Sequence, residues 1–111
     1  MMTKEESKIR NIIFCEDDED DRNFFSDVMK EYDSALKVEL VSNGVRLMQH
    51  LQHFAPDLLF LDLEMPFKNG LECLVEIRAN TVLENLPVLF FLPLRGSSIF
   101  KQRMKWVPIF F

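Results

Sequence analysis

Leu58-Leu59-Phe60-Leu61 is an unbroken apolar run that ends on a carboxylate, Asp62. A strand with one face in water alternates polar and apolar residues. A run that is apolar at every position needs cover on both faces, as a central strand of a parallel sheet has. Comparable runs lie at residues 9–15 (I-R-N-I-I-F-C), at Leu36, Val38, Leu40 and Val41, and at Val88-Leu89-Phe90-Phe91 behind Pro87. Helical spacing separates them. Phe24, Phe25, Val28, Met29 and Tyr32 mark a helix from Glu19 to about Tyr32. Asn43-Gly44 opens a second helix carrying Val45, Leu47, Met48, Leu51 and Phe54, which Pro56 stops. Asn69-Gly70 opens a third with Leu71, Leu74, Val75 and Ile77. The order β-α-β-α-β-α-β at such short spacing predicts an α/β doubly wound parallel sheet with right-handed crossovers. A chain of 111 residues is about half the length a (β/α)8 barrel needs, and is expected to form one domain without an attached effector module.

The net charge is -5, with scattered Lys and Arg, which argues against direct nucleic-acid binding. Cys15 and Cys73 sit in apolar runs without metal-ligand spacing and read as reduced core thiols. His50 and His53 have no carboxylate or cysteine partner nearby in sequence and read as surface or boundary residues. The start, M-M-T-K-E-E-S-K, contains no apolar secretory core, and no apolar run approaches the roughly 20 residues of a membrane span. The expectation is a cytoplasmic protein that does not engage membranes.

Acid is concentrated where these elements meet. The first strand runs into E-D-D-E-D-D, and the third ends at Asp62. In open parallel sheets, chemistry gathers outside the carboxyl ends of the strands. If the first and third strands are neighbours, Glu16, Asp17 and Asp62 converge there. Carboxylates that close raise one another's pKa unless a cation offsets them. A hard divalent ion suits an all-oxygen set, and Mg2+ suits it best, because it takes one or two carboxylates, waters and a phosphate oxygen. Such an ion can orient a phosphoryl donor towards an aspartate nucleophile. Taken singly, the acid run reads as favourable charge at a helix N-terminus, and Asp62 as a loop residue or cap.

Together these motifs resemble the receiver-domain family of two-component signalling, over residues 9–91. The likeness rests on the strand with its acid pair, D-L-E-M-P after the third strand, K-N-G before an apolar helix, and L-P-V opening the fourth strand. It implies the flavodoxin-like doubly wound sheet of CheY-like receivers, with residues 1–8 as a tail. Asp62 then matches the phosphoacceptor, Asp17 the direct Mg2+ ligand, Glu16 a ligand through water, and Glu64 the residue whose backbone carbonyl ligates the metal. The family's acid pair is usually Asp-Asp, so Glu16 is a departure. The run E-D-D-E-D-D-R resembles stand-alone receivers, which take phosphate from a histidine kinase or phosphotransfer protein and signal by protein contacts.

The resemblance stops after Phe91. The family places Ser or Thr at the end of the fourth strand, where this chain has Leu92. It ends the fifth strand in Lys, and the chain stops short of that point and of the final helix. Residues 92–111 show no clear periodicity. With suitably chosen synonymous codons they read, in another frame, S-T-S-R-Q-Q-Y-I-Q-T-A-Y-E-M-G-A-N-L-F, a family-like segment. Met104-Lys105-Trp106 allow little codon freedom and give Glu-(Met or Val)-Gly in that frame. The segment is therefore read as a frameshifted tail. Sequencing the gene across the Phe91 codon tests this, and codons incompatible with that string would rule it out. Phe100, Trp106, Ile109, Phe110 and Phe111 are expected either to fill the place of the fifth strand or to leave an apolar edge that favours dimerisation. The leading function is an Mg2+-dependent phosphoprotein of a phosphorelay, and not an enzyme beyond its own phosphorylation and dephosphorylation. A degenerate receiver that binds partners without phosphate is the alternative. An aspartyl-phosphate phosphatase is disfavoured, because Glu64 stands where such enzymes place a second Asp.

Overall fold

A computed structural model describes residues 9–91 and the backbone of 92 and 105–108. Its elements are β1 (Asn11–Cys15), α1 (Glu19–Tyr32), β2 (Lys37–Val41), α2 (Gly44–Leu51), β3 (Leu58–Asp62), α3 (Gly70–Ala79), β4 (Val88–Leu92) and β5 (Lys105–Pro108). The sheet has five strands in the order β2-β1-β3-β4-β5. β1 to β4 are mutually parallel, and the apolar run of β3 lies in the middle, as its composition demands.

β5 is an altered fifth strand, as the departure of residues 92–111 from the family pattern implies. The four strands read from the sequence are joined by a fifth, and it is antiparallel to β4, with Leu92 opposite Lys105 and Leu89 opposite Pro108. A four-residue strand at a sheet edge leaves too little periodicity to read from sequence. The apolar tail side chains named above lie outside the described residues.

Each helix begins on a side-chain cap. Asp18 Oδ1 accepts from Asp21 N at 2.9 Å and Asn43 Oδ1 from Arg46 N at 2.8 Å. Asn69 and Glu72 form a reciprocal capping box. The acid run thus divides by position. Asp18 caps α1 and Glu19, Asp20 and Asp21 complement its dipole, while Glu16 and Asp17 stay at the strand end.

Alternation splits the core in two. Ile13, Cys15, Leu59, Leu61, Val88 and Phe90 pack with Leu47 and Leu51 of α2 and with Cys73, Leu74 and Ile77 of α3. On the other face Ile12, Phe14 and Phe91 pack with Phe25 of α1, with Met29 and Phe60 against them. Helical spacing named more apolar positions than the faces take up. Phe24, Val28, Tyr32, Leu71 and Val75 are exposed, because Phe25 and Met29, and Cys73, Leu74 and Ile77, already fill the inward stripes. Phe54 is also exposed and lies beyond α2, where His53 N and Phe54 N both turn onto the His50 carbonyl.

Cys15 and Cys73 are buried free thiols, and Cys15 Sγ lies 3.4 Å from Met65 Sδ. Burial, then the neighbouring Cys73 thiol, pushes Cys15 far above the usual thiol range, which makes it unreactive. His50 gains a neighbour that sequence distance concealed, with Nε2 3.9 Å from Glu39 Oε1 across an exposed surface. No helix of the described residues is long and apolar enough to cross a membrane.

Asp57 ties the entrance of β1 to the approach of β3. Its Oδ2 accepts from both Arg10 N and Asn11 N at 2.9 Å, and these bonds hold its carboxyl below the usual range. Asp57→Ala is expected to cost about 1 kcal/mol in a urea melt at neutral pH, from two lost bonds at an exposed site. A lowered pKa means this contribution is present above about pH 4 and lost as pH falls, so the wild type and the variant should converge in acid. A constant difference from neutral pH down to strong acid would show that the carboxylate is not responsible.

Candidate metal and phosphoryl site

Sheet register brings the acids together. Cys15 pairs with Leu61, so the residues that follow them, Glu16 and Asp62, emerge level at one edge. Glu16 N donates to Val41 O at 3.0 Å, which holds the end of β1 against β2. Asp17 follows at the surface. Ligand oxygens of Glu16, Asp17 and Asp62 all lie within 4.8 Å of one another. Glu16 is 2% exposed and Asp62 0%, whereas Asp17 is exposed.

Burying two carboxyls side by side has an electrostatic cost. Desolvation, then the adjacent Asp62 carboxyl, pushes Glu16 up to about 10. Desolvation also raises Asp62, to about 6, although the neighbouring Glu16 carboxyl and the Glu64 N–H each draw it down. Burial thus raises both carboxyls and opposes full ionisation of the pair. Asp62 Oδ1 accepts from Glu64 N at 2.9 Å. Asp62 Oδ2 and Glu16 Oε2 are buried without a hydrogen-bond partner among the described residues. Two unpartnered buried oxygens beside an exposed carboxylate make an all-oxygen donor set, which fits a hard divalent cation.

The rim is shaped by the turn after β3. Gly70 opens α3 directly beneath Asp62, and a Cβ there would come within 2.5 Å of the Asp62 carbonyl oxygen and 2.9 Å of Leu63 Cα. Only glycine lets the helix approach the site backbone this closely. Glu64 is exposed, and its charge contributes to raising Asp62. Arg22 was not singled out by spacing. Its Nη1 donates to the Glu16 backbone carbonyl at 2.8 Å and so ties α1 to the turn that carries the acid pair. Lys68 pairs with Glu76.

Phe67 is 88% exposed and has a φ of 69°. A bulky side chain in the left-handed region is strained by roughly 1–2 kcal/mol, and here no burial offsets it. Phe67→Gly is expected to stabilise the protein by roughly 1 kcal/mol in chemical denaturation, because the relieved strain exceeds the entropy that glycine adds to the unfolded chain. A destabilised variant would mean that the ring contributes packing which outweighs the strain.

Comparison with known proteins identifies the family of the chain. The family model described as the response regulator receiver domain matches residues 12–103. The response regulator Rcp1 of Synechocystis sp. is 30% identical over 95 residues, covering 79% of this chain and 65% of that protein. A probable transcriptional regulator, ycf29, of Pyropia yezoensis is 30% identical over 82 residues, covering 72% of this chain and 36% of that protein. The chain therefore spans between about a third and two thirds of the length of these relatives. Among solved structures, the Mn(2+)-bound form of Rcp1 superposes with a TM-score of 0.70 at 27% identity, covering 79% of this chain and 68% of that one. The phosphorylated cyanobacterial phytochrome response regulator RcpA gives 0.72 at 25% identity, covering 85% and 72%.

Proposed function

Because the chain belongs to the response regulator receiver domain family, we propose that it is a cytoplasmic receiver whose Asp62 accepts a phosphoryl group from a histidine kinase or phosphotransfer protein. The observation that carries this reading is Asp62 itself. It is fully buried at the end of the central strand, with one oxygen held by Glu64 N and the other without a partner beside Glu16 and Asp17.

The free oxygen, Oδ2, is the nucleophile. It bonds to phosphorus as the bond from phosphorus to the donor imidazole breaks, and the imidazole nitrogen keeps that electron pair. The Glu64 N–H holds the other carboxylate oxygen and limits rotation of the attacking group. Glu16, Asp17, Asp62 and the Glu64 backbone carbonyl would hold Mg2+, which when bound neutralises charge on the transferred phosphoryl group. That the solved structure of the relative Rcp1 is a Mn(2+)-bound form supports a divalent ion at this edge. Output is by protein–protein contact, without nucleic acid, membrane or enzymatic action on another substrate.

The test is incubation with acetyl phosphate and Mg2+, followed by intact-mass measurement on the wild type and Asp62→Asn. A gain of one phosphoryl group in the wild type alone is the expected result. Rapid hydrolysis of the donor without a stable adduct would favour a phosphatase. Absence of any adduct would favour the degenerate receiver, a reading that β4 ending in Leu92, a residue without a hydroxyl, already recommends.

A further inference from the structure

Phe67 combines a strained backbone with an exposed ring, and within one copy of the chain no burial offsets that strain. It heads an apolar stripe. Leu71 and Val75 continue it along α3 one turn apart, 58% and 70% exposed. Beside the stripe, between α2 and α3, runs a groove of about 410 Å3 lined in part by Met48, Leu51, Ala79 and Leu83. A projecting ring and an apolar groove on one surface suit a partner that carries the same pair.

Charge decides between this stripe and the one on α1. The chain carries a net charge of -5, so two copies repel one another on average. α1 exposes Val28 and Tyr32, but five acids stand on that helix against Arg22 and Lys30. Residues 67–79 hold Lys68 and Arg78 against Glu72 and Glu76, a net charge of zero. The α3 face is therefore where two copies of an acidic chain can approach without net repulsion. An antiparallel pair of α3 helices with its twofold axis at Val75 sets Val75 against its counterpart. The same axis brings Phe67 level with Leu83 of the other copy, at the groove. Phe67, Leu71 and Val75 expose on the order of 400 Å2 per copy, so with the groove a symmetric pair nears the roughly 1,000 Å2 at which specific interfaces begin. We propose that α3 is a self-association face, on which Phe67 of each copy enters the α2–α3 groove of the other. This interface is independent of the phosphoacceptor reading.

Sedimentation velocity over a concentration series tests this on the intact chain. The wild type should form a dimer with a dissociation constant on the order of 10–100 µM, as a small interface allows. Phe67→Gly should weaken it at least about ten-fold while relieving backbone strain, a combination that general instability does not produce. Val75→Glu should do the same, because it sets two carboxylates face to face at the axis. Val28→Glu on α1 adds the same charge and should leave the dimer unchanged. All three positions are exposed, and folded-state circular dichroism checks that each variant is intact. Val75→Cys supplies a positive signature, since a residue on a twofold axis meets its own counterpart. Diamide, which takes the hydrogens of two thiols, should link that variant into a covalent dimer, and the buried Cys15 and Cys73 do not compete. A wild type that stays monomeric to about 500 µM would overturn the proposal and leave the face to a different protein. A dimer that either Phe67→Gly or Val75→Glu leaves intact would equally overturn it, and would place association on another surface.

Discussion

Asp62→Asn should stabilise the metal-free protein by about 2 kcal/mol near pH 8, while removing its capacity to take up a phosphoryl group. Asp62 is raised from 3.8 to about 6 and Glu16 from 4.5 to about 10, each chiefly by burial. A carboxyl whose folded pKa exceeds its unfolded one binds more protons in the folded state across that interval, so the fold loses stability as pH rises through it. Below about pH 4 both groups are protonated in either state and no penalty exists. Above about 6 the Asp62 contribution is fully lost, and Glu16 continues the decline towards about 10. Urea melts in a chelator at pH 5, 7 and 9 should therefore show falling wild-type stability and a flatter profile for Asp62→Asn. Mg2+ should reverse the trend, because it binds the deprotonated set, and its stabilising effect should grow with pH. Metal-free stability that rises between pH 5 and 9 would mean the carboxyls are solvated in solution.

The second large effect lies on the opposite side of the sheet from α2 and α3. Phe14 is fully buried and stacked between Phe25 of α1, at 4.0 Å between ring centroids, and Phe91 of β4, at 5.3 Å. Phe60 reaches the edge of Phe25 at 4.9 Å. These rings weld α1 to β1, β3 and β4, and Phe14 meets each of the other three. Phe14→Ala should cost about 4 kcal/mol, from lost burial plus a cavity that stiff neighbouring rings cannot close. Against the roughly 5–10 kcal/mol that holds a domain of this size, the denaturation midpoint should fall by about 40–80%. Phe14→Leu should lose markedly less. A loss near 1 kcal/mol for the alanine variant would show that α1 repacks onto the sheet.

Much of this could be read in order along the chain. Continuous apolar runs named β1, β3 and β4, the Asn43-Gly44 and Asn69-Gly70 pairs marked where α2 and α3 begin, and Asp62 stood out as a carboxylate at the end of a buried strand. Such signals are local, because caps, periodicity and the demand for cover act within a few residues. Helical spacing could not tell Leu71 and Val75 from Cys73, Leu74 and Ile77, since α3 is apolar around most of its circumference. Arg22 carries no spacing signal at all, because its partner is a backbone carbonyl of the preceding turn.

The amino-acid sequence by itself determined the elements, their caps and the placing of acid at two strand ends. Tertiary structure decided which acids share a pocket, and how deeply. Pairing of Cys15 with Leu61 sets Glu16 beside Asp62, while Asp18, Glu19 and Asp20, chemically the same kind of residue, cap and open α1. It also decided the direction of β5, which no period in so short a strand could announce and which brings Lys105 rather than Pro108 to the carboxylate edge. The physical reason is common to both. Register and strand direction are set by hydrogen bonds between residues far apart in sequence, and their energies depend on neighbours that no local pattern names.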